Sequence, residues 1–388
     1  MLELQSEKTK KSAVASVVLI LMMLISLFRI FYSDTFFVAS ENVKRALAAA
    51  VSLLSAIGVL FVFDYLPKKV KFWWFAFLGF LLIAYVQHFS GLEYICNTIS
   101  FLGLLTILPF ICISKTVSRI CILGFSVFVL LIMIFANRFK EGEETLINLN
   151  TNLSGFVLFL FEFIMLAMSQ KYRKGVVKRY VFYLIFLIAF IFQVQYASRS
   201  SLIATVLMII YFLFKAFFNR VSRGNIFNLV VFLSFMAILF AYFYSVTLYD
   251  IIGKGNLIIF GKDIFTGRQI IWRDAFEQLG GNWFFGLGNR LDSYMNENGT
   301  NLHNQMMGYL VTFGILVVIP MVILMGNLLK ELKKDNILVV AFILILLVVC
   351  FFETSIYSSS TNAFIVLQIG MLNYIGYQYK KGEKLCKK

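Results

Sequence analysis

The chain has 388 residues, is 60% hydrophobic and only 14% charged, and carries a formal net charge of +15. A soluble domain is about 45–50% apolar and about 25% charged, so this composition excludes a water-soluble globule. It also excludes the nucleic-acid partner that a basic balance would otherwise raise. What remains is an all-α, polytopic integral membrane protein, read as a single membrane domain over residues 1–388.

About 20 apolar residues cross a bilayer as a helix. Apolar runs separated by charged clusters predict about twelve transmembrane helices, at roughly 13–32, 46–63, 72–89, 93–113, 120–136, 152–169, 180–197, 201–218, 226–245, 304–328, 337–352 and 363–378. The first run follows charged residues, as a signal peptide does, but it is too long for a typical signal core and lacks a small-residue cleavage site. It reads as a retained span. Basic residues gather on one side of this pattern, from Lys8, Lys10 and Lys11 through Lys68, Lys69 and Lys71 to the Lys380–Lys388 tail. That side holds 23 of the 35 basic residues. Positive residues mark cytoplasmic loops, so both termini are expected in the cytoplasm. The five cysteines form no CxxC pair or Cys/His cluster, so neither a zinc site nor a disulfide framework is expected. No cofactor is implied.

Two segments on the expected outer side exceed a short connection. Residues 137–151 carry Glu141, Glu143 and Glu144, and residues 246–303 form the longest polar segment of the chain. The uneven loops argue against matched transporter repeats. Function is expected in the long outer loop and the span ends beside it.

Candidate residues follow in chain order. Lys44 and Arg45 lie outside, against the charge bias; they read as interface anchors or as contacts to a lipid diphosphate. Glu162 falls inside the sixth span, where a charge is costly, and is expected to be protonated or hydrogen-bonded, with no assigned role. Arg199 sits in the polar knot Ala197-Ser198-Arg199-Ser200-Ser201 between two spans. A boundary charge is a functional candidate, and a side chain snorkelling to lipid phosphate is the alternative.

In the long loop, Phe265-Thr266-Gly267-Arg268-Gln269-Ile270 reads as a helix start, with Thr266 and Gln269 as a capping box and Phe265 and Ile270 as a hydrophobic staple. Apolar residues at Ile271, Trp272, Ala275, Phe276 and Leu279 predict an amphipathic helix over about 267–279 that lies at the outer surface. Gly280-Gly281 supplies the stop. Arg268 shares the apolar stripe, while Arg273, Asp274, Glu277 and Gln278 take the polar flank. An arginine facing inward needs a partner, and the first turn of a helix favours an anion. Two readings stand: a phosphate or diphosphate contact, or an arginine stem packed on the helix. Glycines at 286 and 288 permit a tight turn before Arg290. His303, followed by Asn304, stands at the mouth of the tenth span. It reads as a general base or anion donor, or as an exposed loop histidine.

The order of these features carries a family resemblance. Ser-Arg-Ser between spans, Thr-Gly-Arg opening a helix with Trp272, Gly-Leu-Gly, and His303-Asn304 before a glycine-bearing span resemble the O-antigen ligase/polymerase family over residues 196–320. The resemblance implies a GT-C-like glycosyltransferase that takes glycan from undecaprenyl diphosphate without a nucleotide sugar or a metal. It implies that Arg199 and Arg268 hold the donor diphosphate and that His303 activates the acceptor hydroxyl. Trp272, Arg273, Arg290, Asn304, Lys44 and Arg45 are further candidate substrate contacts. A chain rich in Phe, Ile, Lys and Asn suits an AT-rich bacterial genome, and such bacteria often make capsules, so a capsule or surface-polysaccharide polymerase is the preferred expectation. The alternatives are a ligase that moves finished glycan to another acceptor, and a non-enzymatic flippase of lipid-linked oligosaccharide. A flippase should carry charges deep in several spans, and here they are nearly absent. Expected partners are the lipid-linked donor and acceptor, membrane lipids, and flippase and chain-length regulator proteins.

Overall fold

A computed structural model describes residues 2–31, 41–88, 92–111, 115–136, 151–171, 176–196, 198–248, 258–259, 262–263, 268–288, 302–333, 336–353 and 359–386. These form helices α1 (Leu2–Phe31), α2 (Glu41–Val62), α3 (Lys68–His88), α4 (Leu92–Ile107), α5 (Lys115–Ala136), α6 (Thr151–Lys171), α7 (Val176–Tyr196) and α8 (Arg199–Leu213). There follow α9 (Lys215–Arg220), α10 (Arg223–Tyr242), α11 (Arg268–Leu279), α12 (Gln305–Phe313), α13 (Ile315–Leu332), α14 (Ile337–Val349) and α15 (Ser359–Cys386). Helix α10 continues into a π-helical turn, Phe243–Leu248. A minimal antiparallel pair, Ile258–Ile259 with Lys262–Asp263, is the departure from an all-helical chain among the described residues.

Among the described residues, seven helical segments are long and apolar enough to cross a membrane: Ala13–Ile30, Arg45–Tyr65, Lys68–Gln87, Leu153–Gln170, Val176–Gln195, Arg223–Thr247 and Ile315–Leu332. This is the pattern of a polytopic membrane protein. Five shorter apolar helices, Tyr94–Phe110, Arg119–Leu130, Arg199–Leu213, Ile337–Val349 and Asn362–Gly376, fall on the other expected segments.

The helices sort by the face they hide. The apolar window of α6 is 83% buried and that of α7 only 11%. Leu184, Leu187 and Ile191 of α7 point outward, an apolar exterior suited to lipid rather than water. At the centre, Phe159 and Phe163 of α6 meet Phe342 of α14 at 6.2 and 5.6 Å between ring centroids. Glu162 is fully buried and accepts a 2.6 Å hydrogen bond from Thr205 Oγ1. Thr205 in turn accepts from Gln193 Nε2 at 3.0 Å. Glu162 is thus hydrogen-bonded inside the bundle, as a carboxyl at that depth requires.

The expected single span at 304–328 is corrected. It breaks at Gly314, where φ is +75° and ψ 174°, a conformation open essentially to glycine alone. The break frees backbone groups that a membrane interior cannot hydrate. The segment after α11 satisfies them. Leu287 N–H donates to Val311 O at 2.7 Å and Gly288 N–H to Thr312 O at 3.1 Å. In the other direction, Ile315 N–H donates to Trp283 O at 2.8 Å and Leu316 N–H to Phe284 O at 3.3 Å. Hydropathy reads 304–328 as continuous because both pieces are apolar, and the torsion angle leaves no trace in it.

Candidate functional site

Helix α11, Arg268–Leu279, falls on the expected amphipathic segment. Trp272, Ala275, Phe276 and Leu279 are buried, while Arg273, Glu277 and Gln278 are exposed. Gly280 ends the helix with φ +45°, as a left-handed C-terminal glycine does. Thr266 and Phe265, the expected cap and staple, lie outside the described residues, and Ile270 is exposed. Trp272 packs edge-on against Tyr244 and Phe240, at 5.4 and 6.2 Å between centroids. Its indole N–H donates to the carbonyl of Leu302. This one bond ties α11 to the residue before His303.

The stretch from Leu302 to Asn304 is pinned on its other side as well. Asn304 caps α12 by accepting from Met307 N–H at 2.9 Å. Its amide donates to Ala237 O at 2.9 Å and to Phe351 O at 3.1 Å. Gln305 N–H donates to Cys350 O at 2.9 Å. Between these anchors His303 adopts φ +50°, the left-handed region that few non-glycine residues enter. Such a conformation persists where the surroundings over-determine it, and here bonds at Leu302 and Asn304 fix both flanks.

One carboxylate then joins the candidates. Glu353 Oε1 accepts from Arg268 Nη2 at 3.2 Å, and Glu353 Oε2 lies 3.3 Å from His303 Nδ1. Arg268 Nη1 also donates to Phe352 O at 2.9 Å. The three side chains stay 20–30% exposed, so the cluster opens to a ligand. These bonds take two of the five donors of the Arg268 guanidinium. A carboxylate beside one imidazole nitrogen fixes the ring's orientation, which is the geometry a general base needs.

The chain matches no family model, and no curated protein and no solved structure is similar to it.

The structure thus brings Arg268 and His303 together through Glu353, which the sequence reading did not single out. The available signal was an acid placed directly after an apolar run on the expected outer side. Arg199 opens α8 and is half-buried, and α8 packs against α14, the helix that leads to Glu353. Two expected substrate contacts are corrected. Trp272 is 1% exposed and Asn304 is 0% exposed, with the indole N–H and the Asn304 amide engaged by protein partners; both build the cluster from behind. Arg273 forms an exposed 3.0 Å pair with Glu277 one turn along, away from Glu353. Arg45 is exposed on α2, the Lys44 side chain lies outside the described residues, and so do Arg290 and residues 137–150. Among the described residues no three His, Cys, Asp or Glu side chains are grouped to hold a metal ion. Because exposed ion pairs contribute about 0–1 kcal/mol, Arg273→Ala is expected to change activity less than twofold and to leave the melting midpoint within about 2 °C. Both can be read from one purified preparation.

Proposed function

We propose that the protein is a glycosyltransferase that polymerises undecaprenyl-diphosphate-linked repeat units into capsular or surface polysaccharide at the outer face of the cytoplasmic membrane. The observation that carries this reading is the partly exposed Arg268–Glu353–His303 cluster. It combines a donor fork for an anionic leaving group with an oriented imidazole. In this reading a hydroxyl of the acceptor sugar attacks the anomeric carbon of the donor. The new glycosidic C–O bond forms as the bond to the diphosphate breaks, and the hydroxyl proton passes to His303. In this reading Arg268, and Arg199 at the start of α8, stabilise the departing diphosphate. The architecture in this reading is a GT-C-like bundle of twelve spans with both termini in the cytoplasm.

The deciding experiment is reconstitution of pure protein with lipid-linked repeat units. Chain growth with release of undecaprenyl diphosphate supports the polymerase. Transfer only to a separate lipid acceptor supports a ligase, and translocation without bond formation supports a flippase. Arg199→Lys and Arg268→Lys keep the charge and lose the planar fork. Each is expected to slow chain growth by about 10- to 100-fold, the loss of one or two charge-assisted bonds. Unchanged rates in both would remove the diphosphate-binding assignment.

A further inference from the structure

Helices α2 and α3 are consecutive, yet they part company. They meet at the turn between them, where Phe63 and Phe75 make an edge-to-face contact at 5.5 Å between centroids. From there α2 packs mainly against α1 and α4, while α3 packs mainly against α13. The divergence leaves a cavity of about 260 Å³, lined from α2 by Ala56 and Leu60, from the turn after it by Phe63, and from α3 by Trp74, Phe75 and Leu78. Its floor is Ile99 of α4, beside Trp74, whose indole N–H is fixed to Thr106 Oγ1 at 3.1 Å. Leu60 and Phe75, at 72% and 65% exposed, form its open lips. A cleft of this kind on the lipid-facing surface of a membrane protein admits hydrocarbon and excludes water.

One end of the cleft is charged. The series Lys68, Lys71, Phe75 and Leu78 is spaced three, four and three residues apart, so the two lysines continue the α3 stripe that lines the cleft. The Lys71 ammonium lies 5.3 Å from the centroid of the Phe63 ring. It donates to Asp64 O at 3.1 Å, which holds it at the lip. Lys68 is exposed beside it, whereas Lys69 turns to Phe227 of α10. The turn 64–71 carries three lysines against the single acid Asp64.

We propose that this cleft is a binding site for an anionic phospholipid of the bilayer. One acyl chain lies between α2 and α3, and the headgroup phosphate sits on Lys68 and Lys71. An apolar slot ending in two cations matches the two halves of such a lipid, and a zwitterionic lipid fits the slot without the net charge match. The site is separate from the Glu353 cluster and does not depend on the proposed reaction.

The test is native mass spectrometry of the purified full chain, mixed with phosphatidylglycerol or phosphatidylcholine of identical chains. The expected result is preferential retention of phosphatidylglycerol, with the preference falling about fivefold per lysine removed in Lys68→Gln and Lys71→Gln. Leu60→Trp, at an exposed lip, is expected to reduce retention of both lipids by closing the slot, with the circular dichroism spectrum unchanged. Equal retention of the two lipids, or a preference that survives in the double lysine variant, overturns the proposal. So does displacement by soluble glycerophosphate or by a long isoprenoid alcohol at equimolar concentration, since these show that headgroup alone or chain alone is recognised.

Discussion

Glu353→Ala is expected to lower polymer formation by about two to three orders of magnitude, close to the loss from His303→Ala, while the protein still folds and inserts. The reason is geometric. Glu353 touches both Arg268 and His303, so its removal loosens the imidazole and the guanidinium together. Truncation leaves Arg268 its bond to Phe352 O, and the half-exposed surroundings let water replace the rest, so the cost to stability is about 1–2 kcal/mol. Glu353→Gln preserves shape and removes the charge; its expected loss is smaller, about tenfold to a hundredfold. A merely structural role for Glu353 is separated from a positioning role by the double variant. If Glu353 acts through His303 and Arg268, combining Glu353→Ala with His303→Ala costs clearly less than the product of the two single losses, because residues that act as a unit are non-additive. Multiplying losses, or wild-type chain growth in Glu353→Ala, sinks the assignment. The measurement is the initial rate of chain growth in proteoliposomes, normalised to folded protein.

Gly314→Ala is expected to destabilise the protein by on the order of 3–5 kcal/mol, the combined effect of a glycine-only torsion and a steric clash. A methyl group at this position would overlap the carbonyl of Phe284, and one at Gly286 would overlap the backbone of Thr312. The two glycines lock the 282–288 segment into the break between α12 and α13. Loss of that fit breaks the four backbone hydrogen bonds that now cross it. Gly281→Ala is the control, since a methyl there meets nothing within 4 Å. The thermal unfolding midpoint in detergent should fall sharply for Gly314→Ala and Gly286→Ala and stay near wild type for Gly281→Ala. Three equal midpoints would show that the break does not depend on its glycines.

The two predictions differ in how far the sequence foretold them. Arg268 and His303 were legible because each is a polar anomaly: an arginine in an apolar helical stripe, and a histidine at the start of a span. The stop at Gly280 and the buried face of α11 were legible because helix periodicity and C-terminal glycine are local signals. The break at Gly314 was not, since a glycine inside an apolar run reads as an ordinary span. Trp272 and Asn304 were named as candidate substrate contacts with the motifs of the family resemblance. Only the packing shows that Leu302, Ala237 and Phe351 occupy their polar atoms.

By itself the sequence determined the membrane class, the positions of the apolar segments, the basic ends and the amphipathic helix before the tenth segment. All of these rest on composition and periodicity within a few turns. The tertiary structure alone decided that α10, α11, α12 and α14 converge, that a broken helix receives the 282–288 segment, and that Glu353 joins Arg268 across 85 residues and His303 across 50. The physical reason is that a buried or half-buried polar side chain must find a partner in space, and hydropathy records the need for that partner but not its address.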